Sequence, residues 1–195
     1  MQNRIWKRAA VMGLTLLCVS TASILFALLH HEDGNRWIAF NLTDHNGVPR
    51  SELDFNGEYL LTFFGFTSCP AVCPTQMANI SKAMELLERK GIDRRVTPVF
   101  ISVDSVRDDP ATVQRYLQRF HPSFVGLTGT RRAIEAAADS FSAVFSATET
   151  RPDLAAYEVS HSSFMYLVGP DGRIVDFIPP STPAEIIADR IGGAL

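Results

Sequence analysis

The chain has 195 residues, 46% hydrophobic and 20% charged, with a formal net charge of −3. Twelve Gly and eleven Pro exclude a collagen-like or low-complexity chain, and three Cys are too few for a disulfide-stapled scaffold. There is no basic block, so nucleic-acid binding lacks its electrostatic footprint and no nucleic-acid partner is expected.

Residues 9–29 form a run of 21 residues without a charge. A helix of that length reaches about 30 Å, the thickness of a bilayer core. Arg4, Lys7 and Arg8 precede it, so the positive-inside rule leaves the N-terminus in the cytoplasm and exports the remainder of the chain. A cleaved signal peptide with Ser20-Thr21-Ala22 at its cleavage site is the rival reading. The apolar run continues past that point through Ile24 to Leu29, which favours an uncleaved, single-pass anchor in the cytoplasmic membrane. The expected division is 1–30 for the cytoplasmic N-terminus and transmembrane anchor, and 31–195 for one domain on the periplasmic side. The anchor takes three basic residues and no acidic one, leaving 15 basic against 21 acidic residues, a net charge of −6, beyond it. It also takes Cys18, which leaves one cysteine pair, Cys69 and Cys73, in a disulfide-permissive compartment.

In chain order, residues 37–42 read as a short strand and 44–47 as a turn. Residues 58–64 (EYLLTFF) have the continuous apolar character of a strand buried on both faces. A helix is expected over 76–90, with Met77, Ile80, Met84 and Leu87 at helical spacing and Gly91 as its stop. A second buried strand spans 96–103. Asp109 caps, and Pro110 opens, a helix to about 120. A short strand at 124–127, a helix over 130–140 and a polar loop over 146–158 come next. Two strands, 163–168 and 173–178, are joined by a Gly169-Pro170-Asp171-Gly172 turn, and a last helix covers 183–191. Strand–helix alternation closed by a hairpin and a helix is the order of an α/β, thioredoxin-like fold.

The segment around Cys69 and Cys73 lies between a buried strand and a helix, where open α/β sheets place their chemistry. Helix-terminal N–H groups there favour thiolate. Two cysteines four apart can face one side of a helical turn; alternatively, because Pro74 lacks an N–H, the regular helix begins only near it and leaves both on a preceding loop or turn. A structural disulfide across so short a loop constrains the unfolded chain little, which favours a redox-active or metal-binding pair. Two thiolates are soft ligands suited to Cu(I), or to zinc given two more ligands. Among five histidines, His30 and His31 sit at the membrane edge, and His45 and His121 read as surface positions. His161 precedes a strand, where a disulfide oxidoreductase of this fold usually has a cis-proline. From the residues alone it is either a ligand or a surface histidine. Asp104 and Arg107 read as an ion pair or turn, Met77 and Met165 as core, and Phe63, Phe64 and Phe66 as core and site wall.

Four runs together resemble the Sco/SenC family over about residues 38–192. They are Gly65-Phe66-Thr67-Ser68-Cys69-Pro70-Ala71-Val72-Cys73-Pro74, then Asp104 with Arg107-Asp108 and Pro110. Gly126-Leu127-Thr128-Gly129-Thr130 is the third, and His161-Ser162 with Tyr166 to Gly172 the fourth. The resemblance implies a membrane-anchored copper chaperone for cytochrome c oxidase assembly, binding Cu(I) or Cu(II) through Cys69, Cys73 and His161. It implies the oxidase copper-site subunit as partner, alongside other copper chaperones or thiol reductants. The alternative is a thiol–disulfide oxidoreductase or redox sensor acting on the oxidase cysteines. The chain departs from the family in having Ser160 before the histidine and Ala71 between the cysteines, both less acidic than usual.

Overall fold

The computed structural model describes residues 37–147, 159–161 and 163–195. The predicted membrane span, 9–29, lies outside the described residues. No helix among the described residues is long and apolar enough to cross a membrane.

The elements run β1 (Asn41–Asp44), β2 (Pro49–Ser51), β3 (Tyr59–Gly65), α1 (Val72–Arg89), β4 (Val96–Ser102), α2 (Pro110–Leu117), β5 (Val125–Thr128), α3 (Arg131–Phe141), β6 (Phe145–Ala147), β7 (Val159–His161), β8 (Met165–Val168), β9 (Ile174–Ile178) and α4 (Ala184–Ala194). Short 3-10 turns occupy Glu52–Phe55 and Asp93–Arg95. The main sheet has the order β2-β1-β5-β4-β3-β8-β9, and β6 and β7 form a separate two-stranded sheet. Its centre is parallel: Tyr59 to Gly65 of β3 lie beside Val96 to Ser102 of β4, and Val99 to Ile101 of β4 beside Val125 to Leu127 of β5. β8 joins β3 antiparallel, with Phe63 opposite Met165. The hairpin to β9 forms at the turn residues expected of it.

Side chains alternate across β3. Leu61 and Phe63 enter a core shared with α1, α2 and α4, whereas Leu60 and Phe64 enter a second core built on α3. α1 buries Cys73, Gln76, Met77, Ile80, Ala83, Met84 and Leu87, a helical stripe that the sequence spacing anticipates. Met165 is also fully buried, so both methionines serve as core. Asp109 caps α2 as expected, its side chain accepting from Thr112 N at 2.7 Å.

Several boundaries differ from the sequence expectation. The strand expected over 37–42 begins only at Asn41, because the preceding amides bond elsewhere. Ile38 N donates to Gly172 O, Ala39 N to Ser140 Oγ and Phe40 N to Glu52 Oε2, and Trp37 makes an isolated bridge with Arg173. α2 stops at Leu117 rather than near 120, where Phe120 N turns back to Leu117 O. Residues 145–147 and 159–161 pair as strands at the base of the segment expected to be a polar loop, and 148–158 lie outside the described residues.

His121 is not a surface residue. It is 9% exposed, with Nε2 2.9 Å from Glu88 Oε1 and Nδ1 2.7 Å from Ser123 Oγ, so it joins α1 to the loop after α2. His45 accepts from Gly126 N through Nδ1 at 3.1 Å and thereby closes the β1 turn onto β5.

Gly126 marks the tightest helix–sheet approach on the α2 side. A Cβ there would meet Val113 Cγ1 and would lie 2.6 Å from Leu117 Cδ1. Gly126→Ala is expected to push α2 off β5 at a cost of about 1–3 kcal/mol, the usual range for overpacking. A shift of the urea midpoint with unchanged m-value is the signature to measure.

Candidate metal and redox site

β3 and β4 end side by side at Gly65 and Ser102, and the chain leaves β3 into the cysteine segment. A carboxyl group organises this exit. Asp108 is 1% exposed, and its Oδ2 accepts from Thr67 N at 2.8 Å and from Ser102 Oγ at 2.5 Å. Its Oδ1 accepts from Thr67 Oγ1 at 2.6 Å, and its carbonyl accepts from Thr128 Oγ1 at 2.6 Å. Two strand ends, those of β4 and β5, and the cysteine loop are therefore tied to one residue. Burial holds the Asp108 carboxyl above its ordinary range, against the lowering effect of the Ser102 and Thr67 donors.

Beside it, Asp104 and Arg107 form both predicted interactions. Arg107 Nε bonds Asp104 Oδ2, and Arg107 N donates to Asp104 Oδ1 at 3.1 Å. The guanidinium carbon of Arg107 lies 5.9 Å from the centre of the Phe66 ring. Phe66, partly buried, packs against both cores, and Phe66 O accepts from Cys69 N at 3.3 Å. Phe63 and Phe64 lie beneath it on opposite faces of β3.

The helix begins earlier than Pro74. α1 starts at Val72, with Ala71 as N-cap, so Cys73 is already in the first turn and Cys69 lies in the loop before it. Proline is tolerated here because first-turn N–H groups have no intrahelical acceptor. Ala71 offers no side-chain cap. Cys69 Sγ takes that role instead, accepting from Cys73 N at 3.4 Å. Neither Cys69 nor Cys73 is in a disulfide, and Cys69 is partly exposed whereas Cys73 is fully buried.

Burial raises the Cys73 thiol far above its ordinary value. Cys69 and Asp108 push the same way, and a backbone hydrogen bond at Phe66 opposes them. The general expectation of thiolate at this helix terminus does not carry to Cys73, where desolvation outweighs the Phe66 hydrogen bond. A Cβ at Gly65 would stand 3.0 Å from Cys73 Sγ and 2.9 Å from Phe100 Cε2, so glycine leaves the space that the sulfur fills.

The structure thus brings Cys69 and Cys73 together. His161 ends β7, paired with Phe145, and its side chain lies outside the described residues. Among the described residues, no third His, Cys, Asp or Glu joins the two cysteines in a metal-holding group. Sequence reading quoted Asp108 only within a longer run and gave neither it nor Gln76 a structural role. Asp109 drew attention as the helix cap, although its neighbour does the tying. A polar Gln76 within the apolar stripe Cys73, Met77 and Ile80 was a usable signal.

Asp108→Ala would strand the Thr67 amide and two hydroxyls, at an expected cost of about 1–3 kcal/mol. Asp108→Asn keeps one acceptor and should cost less. Because the folded carboxyl binds its proton more tightly than the unfolded one, its contribution is fully present below the ordinary carboxylate range. It is lost as pH rises through the raised value. Urea melts from acid to neutral pH should show this falling component in the wild type and not in Asp108→Asn.

The SCO1/SenC family model matches residues 31–195. The mitochondrial SCO2 homolog of Mus musculus is 40% identical over 152 residues, covering 78% of this chain and 59% of that protein. An SCO2-like protein of Rickettsia felis is 38% identical over 149 residues, covering 76% and 72%. The chain therefore spans about three-fifths of the length of its mammalian relatives. Yeast Sco1, solved with copper bound, superposes with a TM-score of 0.76 at 31% identity, covering 82% of this chain and 87% of that one. Bradyrhizobium japonicum ScoI, also solved with copper bound, gives 0.73 at 32% identity, covering 83% and 100%. On a match that runs through the whole domain, cysteine segment included, the chain belongs to the SCO1/SenC family.

Proposed function

We propose that this protein is a membrane-anchored copper chaperone. It takes copper as cargo on Cys69 Sγ, Cys73 Sγ and a ring nitrogen of His161 and delivers it to the copper site of cytochrome c oxidase. The observation that carries this reading is the dithiol at the β3–α1 junction, with one sulfur capping the helix and the other buried behind it. Two sulfurs on one turn are a soft donor set suited to Cu(I), and an imidazole nitrogen extends it toward Cu(II). Copper-bound structures of relatives with the same fold support the cargo. The anchor over 9–29 would hold the domain, 31–195, on the periplasmic side of the cytoplasmic membrane, within reach of a membrane-bound oxidase.

Loading must displace the Cys73 proton, so copper affinity is expected to rise with pH. The partly exposed Cys69 is the sulfur an incoming partner thiolate can approach. Ligand exchange then passes the ion from this pair to the partner's ligands, with no change in its charge.

The unequal burial of the two cysteines also favours a second reading, a thiol–disulfide oxidoreductase. Cys69 as thiolate would attack a partner disulfide, forming a mixed disulfide and releasing one partner thiolate. Cys73, on losing its proton, would attack Cys69 Sγ and release the second. The partner gains two electrons, and Cys69–Cys73 becomes the disulfide. A related Sco-family protein has been described as carrying a disulfide switch. Both readings use the reduced pair, so one protein can perform both.

Titration of the reduced full-length protein with Cu(I), read by thermal melting, separates them. At a free-copper level a hundredfold above the dissociation constant, stabilisation of about 2.7 kcal/mol is expected. Cys69→Ser, Cys73→Ser and the oxidised disulfide form should each lose it. His161→Ala should weaken copper binding, Cu(II) most, and spare dithiol exchange with a small disulfide. Equal stabilisation of the reduced and oxidised forms would defeat the chaperone reading.

A further inference from the structure

Gln76 is a buried amide in a place where the helix stripe calls for an apolar side chain. It lies one turn after Cys73 in α1 and is 1% exposed. Its Oε1 accepts from Ser181 N at 2.9 Å, and its Nε2 donates to Ser163 O at a long 3.5 Å. Both partners are backbone groups, and both are remote in sequence.

Their positions give the contact its meaning. Ser163 stands two residues after His161. The β8 ladder to β3 reaches only to Phe63 opposite Met165, and β7 pairs with β6 rather than with the main sheet. Ser163 and Phe164 therefore lie outside both ladders. Gln76 reaches Ser163 there, from the helix that carries Cys73. On its other side the amide oxygen holds Ser181, whose φ of 63° is left-handed, in the turn between β9 and α4. The two partners fix which way round the amide sits, since an N–H faces the oxygen and a carbonyl faces the nitrogen. A buried amide without such partners is costly, so the stripe keeps a polar residue here only because both bonds are made.

We propose that Gln76 is a positioning residue for copper binding, setting the segment that carries His161 at a fixed distance from Cys73. This rests on the proposal that His161 is a copper ligand. Groups that orient a ligand from outside the ligand set typically change metal affinity by about 10–100-fold when removed.

The test is a double-mutant cycle on the reduced full-length protein, with Cu(II) affinity measured by competition against a chelator of known affinity. Gln76→Leu fills the volume but leaves Ser181 N and Ser163 O unpaired. It is expected to weaken Cu(II) binding about tenfold or more in the His161 background, and to add no further loss in His161→Ala. The reaction of the dithiol with an aromatic disulfide reagent should keep its wild-type rate, because the cysteines themselves have not moved. Gln76→Glu retains an oxygen for Ser181 N, guards against misfolding, and should recover part of the affinity that leucine loses. An equal loss in both backgrounds, or a faster thiol reaction in Gln76→Leu, would overturn the positioning role while leaving the ligand reading intact. An unchanged affinity in His161→Ala alone would bring down the ligand reading, and this inference with it.

Discussion

The carboxyl of Asp108 holds together the parts of the chain that must converge to make a site. Thr67 from the cysteine loop and Ser102 from the end of β4 donate to it, and Thr128 from the end of β5 donates to its backbone carbonyl. The Ser102 and Thr128 hydroxyls are buried, where a proton without an acceptor is expensive, and Thr67 is half-buried. The parallel strands end together because their last polar groups share one acceptor residue. Asp104 and Arg107 extend the arrangement to Phe66, so the wall over the cysteines is anchored to the same loop. Removing the carboxyl disturbs the frame first and the sulfurs through it.

The two cysteines differ because of where the helix starts. With Ala71 as an uncapped N-terminus, the Cys73 amide turns to Cys69 Sγ. That bond fixes the outer sulfur against the helix end, whereas the inner sulfur is sealed under Phe100 and Phe63 in space that Gly65 leaves open. Burial opposes charge on Cys73 more strongly than the Phe66 backbone hydrogen bond favours it. Burial therefore favours the protonated form of the inner sulfur. One sulfur is partly exposed and the other is buried, and both proposed readings draw on that division.

Gln76 adds a third fixed point. It spends a buried position in the α1 stripe on two backbone groups, one of them next to the His161 segment. Asp108 braces the cysteine loop from the sheet side, and Gln76 braces the opposite rim from the helix side. Neither side chain is a donor of the kind copper prefers. Their common role is geometry, and the distance between the rims depends on both.

Much was legible in the residues themselves. The run YLLTFF required a strand buried on both faces, the spacing of Met77, Ile80, Met84 and Leu87 required a helix, and Cys69 with Cys73 fell at their junction. These are local signals, set by side-chain period and by the chemistry of sulfur. The start of α1 at Val72, the burial of the Cys73 thiol, the burial of His121 and the pairing of β6 with β7 were not legible. Each depends on what packs against the residue from far along the chain, and hydrogen-bond partners and desolvation are properties of that packing alone. The order of side chains dictates which elements form and which atoms can hold a metal. Which sulfur is exposed, which carboxyl is buried and which amide reaches across were settled by the packing of the folded chain, because burial and partnership exist only once distant segments meet.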